Sequence, residues 1–279
     1  MSGDQTTELA FAANASVGTL FLNRTGGLVT FPTSLKPTVF KASGSGAIAF
    51  ADGLALTTDE FRANGVTLSG ADWKLNVKNL AQVANVTASG SDASGGIAIH
   101  AGSSQAGAVP NTNWFFDGAF CRWKPDVQSG DFADPANWSN GAVPGAEDTV
   151  VIGAGVTVNV SADAAVRNLF VEGGVVTVSA PLTVGDSIEV LGGATLTLNR
   201  PTTVGGMVVV RSGATVNHGA NADADLNKGV TNSLDLAVGG DMVVESGVMF
   251  TVRGMGSLTG LGSGKGLSGS GSGAGHGGT

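Results

Sequence analysis

Thr183-Val184-Gly185-Asp186-Ser187-Ile188-Glu189-Val190-Leu191-Gly192-Gly193-Ala194-Thr195-Leu196-Thr197-Leu198 is the stretch that decides the fold. Twenty positions later the chain reads Thr203-Val204-Gly205-Gly206-Met207-Val208-Val209-Val210-Arg211-Ser212-Gly213-Ala214-Thr215-Val216. Thirty-four positions after that comes Ala237-Val238-Gly239-Gly240-Asp241-Met242-Val243-Val244-Glu245-Ser246-Gly247-Val248-Met249-Phe250-Thr251-Val252. The 14 extra positions fall together near His218 to Thr231, a run of Asn, Asp, Ala and Gly that reads as a polar loop let into one coil. A fainter copy, Leu169 to Val178, precedes the three.

Each unit offers two strands of about four residues, parted by Gly-Gly or Ser-Gly corners where Gly supplies turn conformations. A four-residue strand cannot bury a face alone, so such units must stack. The expectation is an all-β fold, a right-handed parallel β-helix (β-solenoid) with about 20 residues per coil and rungs about 4.8 Å apart. Strand alternation then names the residues that meet inside. Ile188, Val208 and Met242 form one ladder, Val190, Val210 and Val244 a second, and Leu196, Val216 and Phe250 a third. Outside, Arg211 and Glu245 should pair on neighbouring rungs.

Working outward, residues 1–110 keep the texture without the strict period. Apolar pairs recur at Leu20/Leu22, Val29/Phe31, Ile48/Phe50, Leu54/Leu56, Val66/Leu68, Leu75/Val77 and Ile97/Ile99. This reads as an irregular β-solenoid stretch, with a β-sandwich as the alternative. Residues 111–145 form a Trp/Pro-rich joint or cap holding Trp114, Trp123, Trp138 and the single cysteine, Cys121. Its aromatics are expected to plug an open solenoid end. The regular solenoid runs over 146–261, and 262–279 is a Gly/Ser-rich tail with linker composition.

Composition supports one elongated repeat body. There are 45 Gly, 8 Pro and no Tyr, and charged residues make up 13%, about half the usual share. Net charge is −8 with cations scattered, which argues against nucleic acid and against an anionic membrane surface. One cysteine allows neither an internal disulfide nor a thiolate metal cluster. Met1-Ser2-Gly3-Asp4 lacks a basic n-region and an apolar h-region, so if the protein is exported, this is a mature fragment or part of a larger chain. No apolar run approaches a membrane span, so no insertion by this chain is expected.

Asp134-Pro135-Ala136-Asn137-Trp138-Ser139-Asn140-Gly141-Ala142-Val143-Pro144-Gly145-Ala146-Glu147-Asp148-Thr149-Val150-Val151-Ile152 resembles the "NW…G..P…D.V.I" opening of β-solenoid segments in large bacterial secreted and autotransporter-like surface proteins of the Planctomycetes and Verrucomicrobia type. The units after it fit the same class. So does Ser89 to Gly102, followed by Asn113-Trp114-Phe115-Phe116. The resemblance covers roughly residues 85 to 265. It implies a right-handed parallel β-helix in an extracellular, often very large, protein, and it carries over no functional residue.

Polysaccharide lyases and pectinase-like hydrolases share this architecture, and their chemistry needs clustered carboxylates or a base with a partner. On the rungs, Glu172, Asp186, Glu189, Asp241 and Glu245 do not align between adjacent coils. Asp126, Asp131, Asp134 and Asp148, with Glu147, are candidates for a calcium site through oxygen ligands, without EF-hand or nonapeptide spacing. Asp223 and Asp225 are weaker candidates. His100, His218 and His276 lack ligand spacing, and His218 reads as a hydrogen-bonded structural residue. Trp114, Trp123 and Trp138 are candidates for stacking on sugars. No cofactor is expected beyond calcium. The resulting expectation is a non-enzymatic, extracellular structural or adhesive solenoid, a segment or subunit of a cell-surface stalk, fibre or filament, associating head to tail. The alternative is a carbohydrate-binding or polysaccharide-degrading β-helix whose partners are surface glycans.

Overall fold

The computed structural model describes residues 6–12, 16–221 and 232–252. The 262–279 tail, Asp223, Asp225 and His276 lie outside the described residues. The chain forms two compact units, Met1–Phe120 with Glu147–Thr149 and Cys121–Ala146 with Val150–Thr279. Each is a β-solenoid in its own right, with coils of roughly 20 residues.

The first unit is built from β1 (Thr6–Glu8), β2 (Ser16–Arg24), β3 (Leu28–Phe31), β4 (Lys36–Gly44), β5 (Ala47–Phe50), β6 (Ala55–Asn64), β7 (Thr67–Ser69), β8 (Trp73–Ala84), β9 (Thr87–Ala88), β10 (Ser91–Asp92), β11 (Ile99–His100), β12 (Gln105–Ala106) and β13 (Trp114–Phe115). One sheet runs β1-β3-β5-β7-β9-β12, a second runs β10-β8-β6-β4-β2, and β11 pairs with β13. Neighbours in each sheet are one coil apart in sequence and parallel, as in Val29↔Ile48↔Leu68↔Ala88 and Phe40↔Phe61↔Ala81. Parallel pairing across a whole coil is what a sandwich of hairpins cannot produce, so the β-sandwich alternative for the N-terminal half is overturned.

The second unit holds β14 (Phe120–Arg122), which begins one residue before it, then β15 (Ser129–Asp131), a 3-10 turn at Pro135–Asn137, β16 (Thr149–Ile152), β17 (Thr157–Val160), β18 (Ala164–Val171), β19 (Val175–Val178), β20 (Leu182–Val190), β21 (Thr195–Leu198), β22 (Thr202–Val204), β23 (Val208–Val210), β24 (Thr215–Asn217), β25 (Leu236–Val238), β26 (Met242–Val244) and β27 (Met249–Thr251). One sheet runs β14-β16-β18-β20-β22-β25, with β23 on β20 and β26 on β23. The other runs β15-β17-β19-β21-β24-β27. The long strand β20 pairs with two shorter ones in the next coil, β22 and β23, so the last two coils carry three strand segments each.

The three ladders expected from the period form in register. Ile188 faces Val208 and Val208 faces Met242; Val190, Val210 and Val244 align; so do Leu196, Val216 and Phe250. Their last members need correcting. Val208, Val210 and Val216 are at most 2% exposed, but Met242, Val244 and Phe250 are 42%, 48% and 39% exposed. They lie on the last described coil, where no described rung stacks on them.

Local chemistry explains the corners. Gly193, Gly213 and Gly247 share φ near +80° in successive coils, the left-handed geometry that a side chain disfavours. In the first two of these turns, Ala194 N donates to Leu191 O and Ala214 N to Arg211 O. The 34-residue coil is closed at the foot of its insertion by a reciprocal amide pair. Asn221 Nδ2 donates to Asn232 O at 2.7 Å, and Asn232 N donates to Asn221 Oδ1 at 2.6 Å.

The first unit's core is more aromatic than its β-branched sequence suggests. Phe31 stacks on Phe50 at 5.6 Å, Phe50 on Trp73 at 4.1 Å, and Phe40 on Phe61 at 5.5 Å. Phe31 and Phe50, and Phe40 and Phe61, overlap because parallel in-register coils repeat the same position, whereas Trp73 reaches Phe50 from the other sheet (offset-stacked pairs are favourable beyond their buried area).

Candidate functional site

The tryptophans singled out for sugar stacking are committed to packing. Trp123 and Trp138 are 1% and 0% exposed, and meet edge to face at 5.2 Å. Phe132 packs on Trp138 at 4.9 Å. The indole N–H of Trp123 donates to Val127 O and that of Trp138 to Phe132 O, both at 2.8 Å. Trp114 is 8% exposed, stacks on Phe116 and donates to Ser91 Oγ at 3.1 Å. With the rings buried and their N–H groups occupied, none offers a platform to a sugar, which corrects the expectation for Trp114, Trp123 and Trp138. The aromatics also fall into two groups rather than one plug. Trp114 and Phe116 belong to the first unit, and Trp123, Phe132 and Trp138 to the second. Cys121 is buried, and its Sγ accepts from Asn140 Nδ2 at 3.0 Å.

The calcium candidates are not brought together. Asp131 Oδ1 accepts from Ala133 N, and Asp134 Oδ1 from Ala136 N, where it caps the 3-10 turn. Asp148 Oδ1 accepts from Ala119 N. Asp126 is exposed. Among the described residues, no group of three or more His, Cys, Asp or Glu is placed to hold a metal ion. Asp131 and Asp134 serve their own turns, as Asp commonly does, while Asp148 ties to a strand 29 residues away.

Charge does converge at one place. Arg211 lies between Glu189 and Glu245, its Nε 2.8 Å from Glu189 Oε1 and its NH1 2.9 Å from Glu245 Oε1. The Arg211–Glu245 pair is the one expected from the period. Glu189 is the partner the alternation missed, because its outward position is 0% exposed. Ser212 N also donates to Glu245 Oε2 at 2.9 Å. That amide, and then the guanidinium, hold the Glu245 carboxyl below the usual range. Acid–base catalysis by two carboxylates needs their pKa values pushed apart, one upward. Here the shift runs downward at Glu245, and a shared guanidinium favours the ionised form. The cluster ties three rungs together.

His218 is 8% exposed, with Nδ1 2.8 Å from Gly219 O, a structural contact that requires the proton on Nδ1. In the first unit, His100 stacks on Phe115 at 4.9 Å, and its Nδ1 lies 3.9 Å from Asp117 Oδ1. Phe115 is 44% exposed. This is the outward aromatic that the sequence did not single out; the two-residue strands β11 and β13 carry too little pattern to place it.

A second unforeseen feature is a polar face on the second unit. Asn159, Thr177, Thr197, Asn217 and Thr251 align as one outward column, and Thr195 and Thr215 align beside it. The Thr195-Leu196-Thr197 alternation was the available signal.

Among the described residues, no helix is long and apolar enough to cross a membrane. No protein family matches this chain, and no curated protein or solved structure matches it either.

Proposed function

We propose that this chain is a structural β-solenoid of the cell exterior, a segment or subunit of a stalk, fibre or adhesive surface protein. The observation that carries the reading is the direction of its side-chain bonds. They run along the stack, joining residues about one coil apart. Ser43 bonds Asn23, Arg62 bonds Gln82, Asn85 bonds Asn64, Ser179 bonds Asn159 and Arg211 bonds Glu189. Polar groups that an enzyme would aim at substrate are here spent on holding rungs together. Rung-to-rung bonding adds to nearest-neighbour coupling, the quantity that makes a repeat stack stiff. The test is antibody labelling of intact cells, joined to single-molecule pulling on the purified chain. Surface labelling with stepwise unfolding at high force is the expected result. An internal protein that yields at low force overturns the reading.

Carbohydrate binding is the second reading, favoured by the exposed Phe115 ring backed by His100 and flanked by Asp117. An apolar ring face beside a carboxylate acceptor suits a pyranose. A glycan array on the wild type and Phe115→Ala checks it. Hits lost with the ring support binding, and an array without hits removes this reading.

A further inference from the structure

One face of the second unit leaves its hydroxyls uncommitted. On the inner rungs β17, β19, β21 and β24, Thr157, Val175, Thr195 and Thr215 stand in one column. Asn159, Thr177, Thr197 and Asn217 stand in a second, two residues further along each strand. The register holds from rung to rung without a bulge, whereas β18 against β20 slips between Val166 and Asn168. The residues between the columns, Val158, Val176, Leu196 and Val216, are at most 2% exposed, so both columns face outward. Thr157 is exposed and the other seven are part-exposed.

None of these eight positions is charged or aromatic, and five are Thr. Asn159 Oδ1 accepts from Ser179 Oγ at 2.8 Å. The hydroxyls of Thr157, Thr177, Thr195, Thr197 and Thr215 make no hydrogen bond among the described residues. Elsewhere the stack uses such groups to join its rungs. β-Branching leaves Thr few rotamers, so the backbone fixes where each hydroxyl and methyl sits. Rungs lie about 4.8 Å apart, and the two columns about 6.7 Å apart. A protein interface of this size would concentrate aromatic residues and Arg at its centre, and an aromatic ring is what stacks on a sugar face. This face has neither. Methyls that hem in first-shell water, beside hydroxyls that anchor it, instead suit a layer of ordered water. The two repeats of a prism face of ice lie close to the two spacings of the array.

We infer that the Thr/Asn face of the second unit binds ice, its hydroxyl and methyl columns matching the water lattice of a prism face. This is a binding activity beyond the structural reading above, and it asks nothing of stiffness or cell location.

Thermal hysteresis of the purified full chain, together with its partition into a slowly growing ice hemisphere, tests the inference. Thr177→Lys and Thr197→Lys each put a long charged side chain into the middle of the array. Thr197→Ser keeps the hydroxyl and removes only the methyl. Thr183→Lys is the control, at an exposed position of β20 in the other sheet. Circular dichroism confirms that each variant folds. The wild type is expected to hold a gap between freezing and melting, to facet ice crystals and to enter the ice. Both Lys variants in the array lose this, Thr197→Ser weakens it and Thr183→Lys keeps it. A folded wild type without hysteresis that stays in the liquid overturns the inference. So does activity that survives both Lys variants in the array, or that Thr183→Lys removes equally. Retention on insoluble cellulose or chitin that Thr197→Lys abolishes, in a chain that does not enter ice, would give the face to a glycan and overturns it as well. A chain without ice affinity that still labels at the surface and resists force sinks only this inference and leaves the structural reading intact.

Discussion

At the scale of single residues, the Glu189–Arg211–Glu245 cluster shows how the stack handles charge. Glu189 is fully buried, and its Oε1 accepts from Arg211 Nε at 2.8 Å. Removing the guanidinium by Arg211→Ala should cost roughly 3 kcal/mol, the usual range for breaking a buried pair from one side. A urea midpoint unchanged from wild type would show that Glu189 is not held by Arg211. Glu245 makes a pH prediction. Its folded-state pKa is depressed, with the Ser212 amide the first cause and Arg211 the second. Its contribution is therefore complete above the ordinary glutamate pKa and is lost as the pH falls through the depressed value. Melting temperatures of wild type and Glu245→Gln should differ at about pH 6 and converge as the pH falls below the ordinary glutamate range. Glu245 was legible as Arg211's partner because alternation puts both outside. Glu189 was not, because burial of an outward position depends on what packs over it.

At the scale of elements, one column of the stack contains its own control. Val210 and Val244 occupy the same register position on adjacent strands, yet one is 0% and the other 48% exposed. Val210→Ala should cost about 2 kcal/mol from lost burial and a residual cavity. Val244→Ala should stay within about 0.5 kcal/mol, as surface substitutions do. Chemical denaturation of the two variants decides; equal losses would mean that something covers Val244 in solution. Strand identity and register were readable in the regular coils because Gly corners and apolar pairs recur every twenty positions. They were harder to read before residue 110. There the coils from β2 to β4 and from β4 to β6 differ in length, Ser16 facing Lys36 but Val39 facing Glu60. The parallel pairing that excludes a sandwich is a property of which strands meet, and short alternating strands look alike in either fold.

At the scale of the whole molecule, repeat architecture implies graded stability. A coil in the middle of a stack has two neighbours and a coil at its edge has one, so opening begins at the edges. In the second unit, backbone amides of β19–β21 should show the strongest hydrogen-exchange protection, and those of β26 and β27 among the weakest. Uniform protection across these strands would contradict nearest-neighbour control. Arg211→Ala should widen the difference between inner and edge strands, because it cuts a tie that holds the last described rung to the two before it.

The repeated Thr183–Leu198 unit by itself determined the all-β stacked architecture, the coil length, the ladders and the place of the inserted loop. These follow from local periodicity and glycine placement, which any reader of the chain can count. Only the tertiary structure decided which tryptophans face inward, that Asp131 and Asp134 cap their own turns, and that the ladder members of the last described coil are exposed. Those outcomes depend on which groups meet across coils and on what lies over them, and the spacing of residues along one strand does not encode either.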